Sequence, residues 1–89
     1  MGPLDGVRVV DLSIGQMGPA ATALLADMGA EVVKIESRRG DPGRGLELQP
    51  SGISAFFLTH NRNKKSVTLN LRHPEGKEVV YRLTARSDV

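Results

Sequence analysis

The sequence predicts an α/β domain built on a parallel sheet, and three features indicate that fold class. A β-branched, apolar run at residues 7–12 leads into a glycine-bearing turn, and a segment dense in helix formers begins at Pro19. A second β-branched run at residues 31–36 follows after a very short connection. Strands joined through a helix in this way lie parallel with a right-handed crossover, so these segments are expected to form one βαβ unit.

The first helix is predicted to begin at Pro19 and to end before Gly29. Proline suits the first helical position, and glycine suits the left-handed conformation that follows a helix end. Leu24, Leu25 and Met28 are expected to form the face that packs on the sheet, while the alanines allow close approach.

The second half of the chain predicts a loop, a third strand and a further helix. Residues 37–52 are rich in Gly, Pro and Arg and are interpreted as a long loop. Residues 54–60 form an apolar patch, and their periodicity does not distinguish a helix from a strand. The two phenylalanines of this patch are expected to anchor the long loop to the core. Residues 66–71 alternate as a third strand, and Pro74 opens the last helix. The final residues look like the approach to another strand, so the sheet is predicted to be incomplete and the chain to be a fragment.

Composition and charge limit the possible function classes. The formal net charge of +2 is too small to indicate nucleic-acid binding, although basic clusters at Arg38 and Arg39 and at residues 62–65 would suit a polyanionic small molecule. The chain has no cysteine and therefore no disulfide or thiolate metal site. No apolar run has the length of a membrane span, and no secretory pattern is present. We therefore expect a cytoplasmic protein with no nucleic-acid or membrane partner.

The turn after the first strand is a candidate ligand site. Gly15 and Gly18 stand between strand and helix, where backbone N–H groups bind phosphates, but the full G-x-G-x-x-G pattern is absent and a purely structural turn stays open. The amide of Gln16 is placed either to contact a ligand or to cap the backbone. Glu36 follows Gly18 at nearly the spacing at which the acidic residue of a dinucleotide-binding fold accepts hydrogen bonds from ribose hydroxyls. The alternative is that Glu36 is a solvated residue at the end of the strand.

Other polar residues are weaker candidates. Basic side chains in the two later loops are suited to pairing with phosphates or to simple solvation: Arg38, Arg39, Arg44, Arg62, Lys64 and Lys65. His60 and His73 have no further ligand at metal spacing, so no metal site is predicted. No nucleophile motif or carboxylate pair is present, and Asp11 is expected to be structural.

Several motifs occur together along the whole chain. They are PLDGVRVVDL at residues 3–12, GP at 18–19, LADMGAEVVKIE at 25–36, GDP at 40–42, NRNKKS at 61–66 and PEG at 74–76. In this order and spacing the sequence resembles the N-terminus of the family III CoA-transferases. That family also contains carnitine CoA-transferases, formyl-CoA:oxalate CoA-transferase and the 2-methylacyl-CoA racemases.

The resemblance implies a Rossmann-like, CoA-binding domain in much longer subunits that form interlocked dimers. Relative to that domain, the α/β fold expected here is a partial parallel sheet with one βαβ unit, a third strand and a helix. In the transferases an aspartate nucleophile forms a mixed anhydride with the acyl group. That aspartate lies beyond the position matched by Val89, so the resemblance implies no catalytic residue in this chain and no activity of the chain alone.

The resemblance also implies where CoA is bound. Gln16 matches the family glutamine beside the acyl thioester, and Met17 falls where CoA contacts are made. The basic position after the second strand matches Ser37 or Arg38, depending on where a gap is placed. The strand end along the adenosine part matches four residues, Leu69, Asn70, Leu71 and Arg72.

The leading hypothesis is therefore a CoA-binding segment of a family III CoA-transferase, which takes a CoA thioester as substrate and holds no permanent cofactor. The first alternative is a stand-alone nucleotide-binding or assembly module of Rossmann type. A second alternative is a small NAD-binding protein that uses Glu36. Because an incomplete sheet leaves an apolar edge or face uncovered, a homo-oligomer, dimeric or higher, is also expected.

Overall fold

The computed structural model describes residues 2–89 as a three-stranded parallel sheet with helices around it. The strands are adjacent in chain order, and they are β1 (Arg8–Asp11), β2 (Glu31–Glu36) and β3 (Lys64–Thr68). The helices are α1 (Met17–Asp27), α2 (Ala55–Asn61) and α3 (Pro74–Ala85), and a 3₁₀ turn spans Pro42–Gly45. The prediction of a partial, Rossmann-like α/β fold is confirmed.

The central strand β2 organises the core. It is buried from Val32 to Glu36, as a strand covered on both faces should be. Val9 and Val32, which are register partners, pack with Ala26 and Ala30. The apolar centre of the domain therefore lies between β1, β2 and α1.

The face of α1 that contacts the sheet differs from the predicted one. Pro19, Ala23 and Ala26 are the buried residues of the helix, whereas Leu24 is 56% exposed and Met28 is 40% exposed. The small alanine side chains allow the helix to lie close to the strands, and this rotates Leu24 toward the surface. The expectation that Leu24 and Met28 form the packing face is wrong.

The third strand begins and ends earlier than predicted. Asn63 has a φ of 65°, so the chain turns sharply there and Lys64 enters the sheet beside Val32. Pairing ends at Thr68, and the predicted strand residues 69–71 lie in the following loop. The ambiguous segment at 54–60 is helical, and the Ser54 hydroxyl caps α2 by accepting from the Phe57 N–H at 3.0 Å.

The last two residues lie along the free edge of β1. The Val89 N–H donates to the Arg8 carbonyl at 3.2 Å, and the Val89 carbonyl accepts from the Val10 N–H at 2.9 Å. In a parallel pair, the N–H and the C=O of one residue bond to the two residues on either side of its partner. Val89 bonds in this way to Arg8 and Val10, which lie on either side of Val9. No helix in residues 2–89 is long and apolar enough to cross a membrane.

Candidate functional site

The carboxyl ends of the three parallel strands meet at one edge of the sheet. β1 ends at Asp11, β2 at Glu36 and β3 at Thr68. Open α/β sheets bind ligands in the crevice outside this edge, because the loops that follow the strands diverge there. The predicted site residues all belong to loops that leave this edge or to the start of α1.

A cavity of about 470 Å³ lies between the loop after β2 and the loop after β3. The Leu69 N–H donates to the Glu36 carbonyl at 2.9 Å and so joins the two loops at their base. The residues that line the cavity are Ser37, Arg38, Arg39, Leu69, Asn70, Leu71 and Arg72. The structure therefore brings together Arg38 and the 69–72 stretch, which are far apart in sequence.

The arginine side chains of this cavity have no protein partner in the part of the chain that the structure describes. No ion pair within residues 2–89 involves Arg38, Arg39 or Arg72. The Asn70 carboxamide accepts from the Arg72 N–H at 3.1 Å, a local bond that shapes this loop. Guanidinium groups that are free around a cavity are suited to a multiply charged anion.

Gln16 and Met17 lie at the same edge of the sheet but outside this cavity. Gln16 stands at the N-cap position of α1, and its side chain makes no capping hydrogen bond. Met17 is 87% exposed. The candidate site thus has two parts, the arginine cavity and the β1–α1 loop of residues 12–16 together with Met17.

The β1–α1 loop rests on buried charged groups, and the first is Asp11. Its carboxylate accepts from the Ser13 N–H at 2.8 Å, from the Thr22 hydroxyl at 2.7 Å and from the Lys64 ammonium at 2.9 Å. Burial raises the pKa of Asp11, but the hydrogen bonds from Ser13, Thr22 and Lys64 outweigh it and hold the pKa below its ordinary value. The expectation that Asp11 is structural agrees with these contacts.

Lys64 is the buried partner of Asp11. Its ammonium also donates to the Pro19 carbonyl at 3.0 Å and to the Asn61 side chain at 2.8 Å, so all its N–H groups have acceptors. Burial lowers the pKa of Lys64, and the nearby Asp11 carboxylate opposes that effect. Lys64 therefore joins β3 to β1, α1 and α2.

A second buried pair connects the β1–α1 loop to the loop after β2. The Lys34 ammonium, 1% exposed as a side chain, lies 2.8 Å from Asp41 Oδ2 and donates to the Ser13 carbonyl at 3.0 Å. Asp41 Oδ1 accepts from the Gly43 N–H at 2.8 Å and from the Gly15 N–H at 3.2 Å. Burial raises the pKa of Asp41, but hydrogen bonds from Lys34, Gly43 and Gly15 hold it below its ordinary value.

Glu36 is a third buried anion at this edge. It accepts from Arg44 at 2.6 and 2.8 Å, from the Ser66 hydroxyl at 2.8 Å and from the Asp41 N–H at 2.8 Å. The hydrogen bonds from Arg44 lower the pKa of Glu36 to about 2 against the effect of burial, and the Asp41 and Ser66 bonds contribute. The Arg44 guanidinium lies 3.8 Å from the centroid of the Phe57 ring.

These contacts correct several sequence predictions. Glu36 is 4% exposed, so it is not a solvated strand end, and its oxygens are committed to protein donors instead of ribose hydroxyls. Four residues of the predicted basic set form ion pairs, namely Arg44, Arg62, Lys64 and Lys65, although Lys65 is 71% exposed and thus solvated as predicted. Only Arg38 and Arg39 of the predicted basic set line the cavity.

Sequence reasoning missed Lys34 as a site residue and quoted Asp41 only as part of a motif. The available signal for Lys34 is a single charge inside an apolar central strand, where an unpaired ammonium would not be stable. The histidines have local roles, since His73 Nδ1 accepts from the Glu75 N–H and the His60 ring stacks on Phe56.

Comparisons with known proteins identify relatives across the whole chain. The family model described as CoA-transferase family III matches residues 4–89. A formyl-CoA:oxalate CoA-transferase from Streptomyces coelicolor is 48% identical over 87 residues, which cover 97% of this chain and 21% of that protein. A succinyl-CoA:glutarate CoA-transferase from Mus musculus is 43% identical and covers 100% of this chain and 21% of its own length.

Solved structures agree with these matches. A CAIB/BAIF family protein from Brucella suis superposes with a TM-score of 0.90 at 40% identity, over 98% of this chain and 24% of that one. A protein from Mycobacterium tuberculosis superposes with a TM-score of 0.89 at 39% identity, over 99% of this chain and 24% of that one. The chain thus spans roughly a quarter or less of the length of these relatives.

Proposed function

Because this chain belongs to CoA-transferase family III, we propose that it is the CoA-binding N-terminal segment of an enzyme that transfers CoA between an acyl-CoA and a carboxylic acid. The observation that carries the proposal is the cavity of about 470 Å³ with its free arginines. CoA presents a diphosphate and a 3′-phosphate at its nucleotide end, and arginine binds phosphate oxygens in a bidentate manner. In this function CoA is a substrate and not a permanent cofactor.

The cavity walls suit the remainder of the nucleotide. Leu69 and Leu71 supply apolar surface, and Asn70 lies between them in the chain. A guanidinium plane stacks on an aromatic base as well as binding phosphate, so Arg38 or Arg72 is able to contact the adenine as well as a phosphate. We therefore assign the nucleotide end of CoA to Arg38 and to residues 69–72.

The thioester end of CoA is assigned to the β1–α1 loop and Met17. The Gln16 carboxamide makes no capping hydrogen bond. It is therefore able to donate to a thioester carbonyl and to accept from an amide N–H of the pantetheine arm. Met17 offers a flexible, exposed apolar side chain to that arm. Space beside Gly15 is open, since no heavy atom lies within 4 Å of a Cβ built there.

The covalent step is assigned to none of residues 2–89. The carboxylates at the edge, Asp11, Asp41 and Glu36, are buried, and hydrogen bonds from protein donors outweigh the effect of burial and lower their pKa values. A carboxylate engaged in this way is a poor nucleophile because attack would break its hydrogen bonds. We propose that the chain alone has no transferase activity, and turnover of an acyl-CoA with an acid acceptor would contradict this.

A titration of CoA into the chain tests the binding role. We expect CoA to bind more tightly than NAD, and Arg38→Ala or Arg72→Ala to raise the Kd for CoA about tenfold, since each removes a charge-assisted phosphate contact. Arg86→Ala is the matched control, because Arg86 lies at the opposite edge and forms no ion pair within residues 2–89. Absence of binding at millimolar CoA, or an equal effect of Arg86→Ala, would overturn the proposal.

Self-association is proposed as a second property of the chain. Large apolar side chains are exposed in the loop after β2 and on α2, namely Leu46, Leu48, Ile53 and Leu58. Several large apolar side chains exposed in one part of the chain are typical of a contact with another protein surface. Light scattering at high concentration should give a mass above that of a monomer, and a monomeric mass would contradict the expectation.

A further inference from the structure

Asp41 stands between the two parts of the candidate site. Its side chain accepts from the Gly15 N–H in the β1–α1 loop at 3.2 Å and pairs with Lys34, which in turn donates to the Ser13 carbonyl. Its main-chain N–H donates to Glu36 at 2.8 Å. One residue therefore contacts both the loop that carries Gln16 and the strand end that leads to the arginine cavity.

The turn that carries Arg38 and Arg39 is closed at its base by the main chain of Asp41. The Gly40 N–H donates to the Ser37 carbonyl at 2.9 Å, and Gly40 has a φ of 79°. The next N–H along the chain, that of Asp41, donates to the Glu36 carboxylate. The arginine turn is thus held by the Gly40 N–H on the Ser37 carbonyl and by the Asp41 N–H on the Glu36 carboxylate, whereas the Asp41 side chain accepts from the Gly15 N–H of the β1–α1 loop and from the Gly43 N–H.

The chemistry of the contacts indicates a positioning role. A buried ion pair is expensive to form, and an apolar pair of similar volume would stabilise the fold as well or better. An apolar pair, however, would offer no acceptor to the Gly15 N–H and no donor to the Ser13 carbonyl. The charged pair fixes the direction of the loop backbone, which packing alone would leave less defined.

We infer that Asp41 is a positioning residue that holds the Gln16 loop at a set distance from the arginine cavity, so that both ends of one CoA thioester are bound together. This inference rests on the proposed CoA-binding function. It assigns to Lys34 the supporting role of orienting the Asp41 carboxylate. It predicts that loss of the Asp41 side chain affects one end of the ligand and not the other.

The test compares two ligands in the full chain. Adenosine 3′,5′-bisphosphate probes the nucleotide end, and acetyl-CoA probes both ends. The substitution Asp41→Ala leaves Lys34 buried without its carboxylate, so each Kd is referred to the fraction of Asp41→Ala that circular dichroism shows to be folded. For that folded fraction we expect the Kd for acetyl-CoA to rise about tenfold and that for the bisphosphate to change less than about twofold, because the Asp41 N–H is retained. Asp41→Asn keeps an oxygen acceptor for Gly15 and should recover part of the affinity for acetyl-CoA.

Asp27→Ala is the matched control, since it removes an aspartate whose partners, Arg62 and Asn63, lie away from the cavity. Equal weakening of both ligands by Asp41→Ala would show a general structural role and overturn the inference, as would no change for either. If the unsubstituted chain binds neither ligand, the proposed function fails and not only the role of Asp41.

Hydrogen exchange provides a readout that needs no ligand. In Asp41→Ala where that variant folds, the Gly15 amide should exchange several-fold faster, and in Asp41→Asn, which keeps an oxygen acceptor, it should exchange faster by a smaller factor, while the Ala23 amide within α1 should be unchanged in both. Unchanged exchange at Gly15 would contradict the loop-anchoring role even if CoA binding were lost. Faster exchange at Gly15 in a chain that binds no CoA would leave the anchoring role intact and reject the proposed function.

Discussion

The carboxyl edge of the sheet uses charged side chains in two opposite ways. Around the cavity, Arg38, Arg39 and Arg72 are exposed and form no ion pair within residues 2–89. Beneath the β1–α1 loop, Lys34 and Lys64 are buried, and each lies within 3.0 Å of a carboxylate. The difference separates charges that are available to a ligand from charges that set the backbone geometry.

The two regions should respond differently to mutation. Removing a charge from the buried pairs should lower the free energy of unfolding, because the remaining partner stays buried without compensation. Removing a charge from the cavity should change ligand affinity and leave stability nearly unchanged. Each of the following variants is a way to confirm or reject that division.

The largest effect is expected for Lys64→Met. The substitution leaves the Asp11 carboxylate buried without its cation, and the loss of one partner of a buried pair typically costs about 3–5 kcal/mol. A domain of this size has little stability to lose, so the variant should be mostly unfolded or should denature at a much lower urea concentration than the parent. Urea denaturation followed by circular dichroism measures the change.

Lys65→Met is the control for that variant. Lys65 is the next residue of β3, is 71% exposed as a side chain and pairs with an exposed Glu31 carboxylate. Exposed pairs contribute little, so the urea midpoint should remain close to that of the parent. Equal destabilisation by the two substitutions would show that burial of the pair is not what matters.

A second prediction concerns pH and Glu36. Its pKa in the folded chain is about 2, against an ordinary value of 4.5, with the Arg44 hydrogen bonds as the main cause. Between these values the unfolded chain binds more protons, so the stability that Glu36 contributes should be complete about one pH unit above 4.5 and should fall as the pH decreases toward 2. Glu36 contributes roughly 3 kcal/mol to that loss.

The pH dependence is measured as the urea midpoint over a series of acidic solutions. Glu36→Gln should be less stable at neutral pH and should show a shallower decline in acid. Asp11 and Asp41 also have lowered pKa values, so part of the decline should persist. An identical slope in the variant would mean that Glu36 is not the group that titrates.

Gly15→Ala should have a smaller effect on stability. Gly15 has a φ of 84°, a conformation that alanine adopts at a cost of about 1 kcal/mol. The added methyl group meets no neighbour, so the loss is purely conformational. Gly45→Ala is the control, because its surroundings are also open and it is not among the glycines of positive φ. Similar losses in both variants would argue against a strained loop at Gly15.

Local chemistry was sufficient to predict much of the fold. β2 has the predicted bounds because its β-branched residues are bordered by a helix-ending glycine and a glycine- and proline-rich loop. α3 begins at the predicted proline for a similarly local reason. The start of β3 depends on the positive φ of Asn63, a residue type that permits but does not require it.

The packing and the buried charges could not be predicted in the same way. Whether alanines or leucines of α1 face the sheet depends on the distance between helix and strands, which is a tertiary property. The pairs of Lys34 with Asp41 and of Lys64 with Asp11 join different elements, and charge composition does not indicate partners. Arg38 and residues 69–72 are named by the resemblance and Arg39 by its basic cluster, but charge composition does not indicate that their guanidinium groups form no ion pair within residues 2–89.

The smallest expected change in stability is for Arg39→Gln, and it tests the comparison most directly. Arg39 lines the cavity, is exposed and has no ion-pair partner within residues 2–89, so the free energy of unfolding should stay within about 0.5 kcal/mol of the parent. If the cavity binds the phosphates of CoA, the Kd should nevertheless rise several-fold, and added salt should narrow the gap between the variant and the parent. A variant that loses stability without losing affinity would place Arg39 with the buried, structural charges and would remove the division between the two regions.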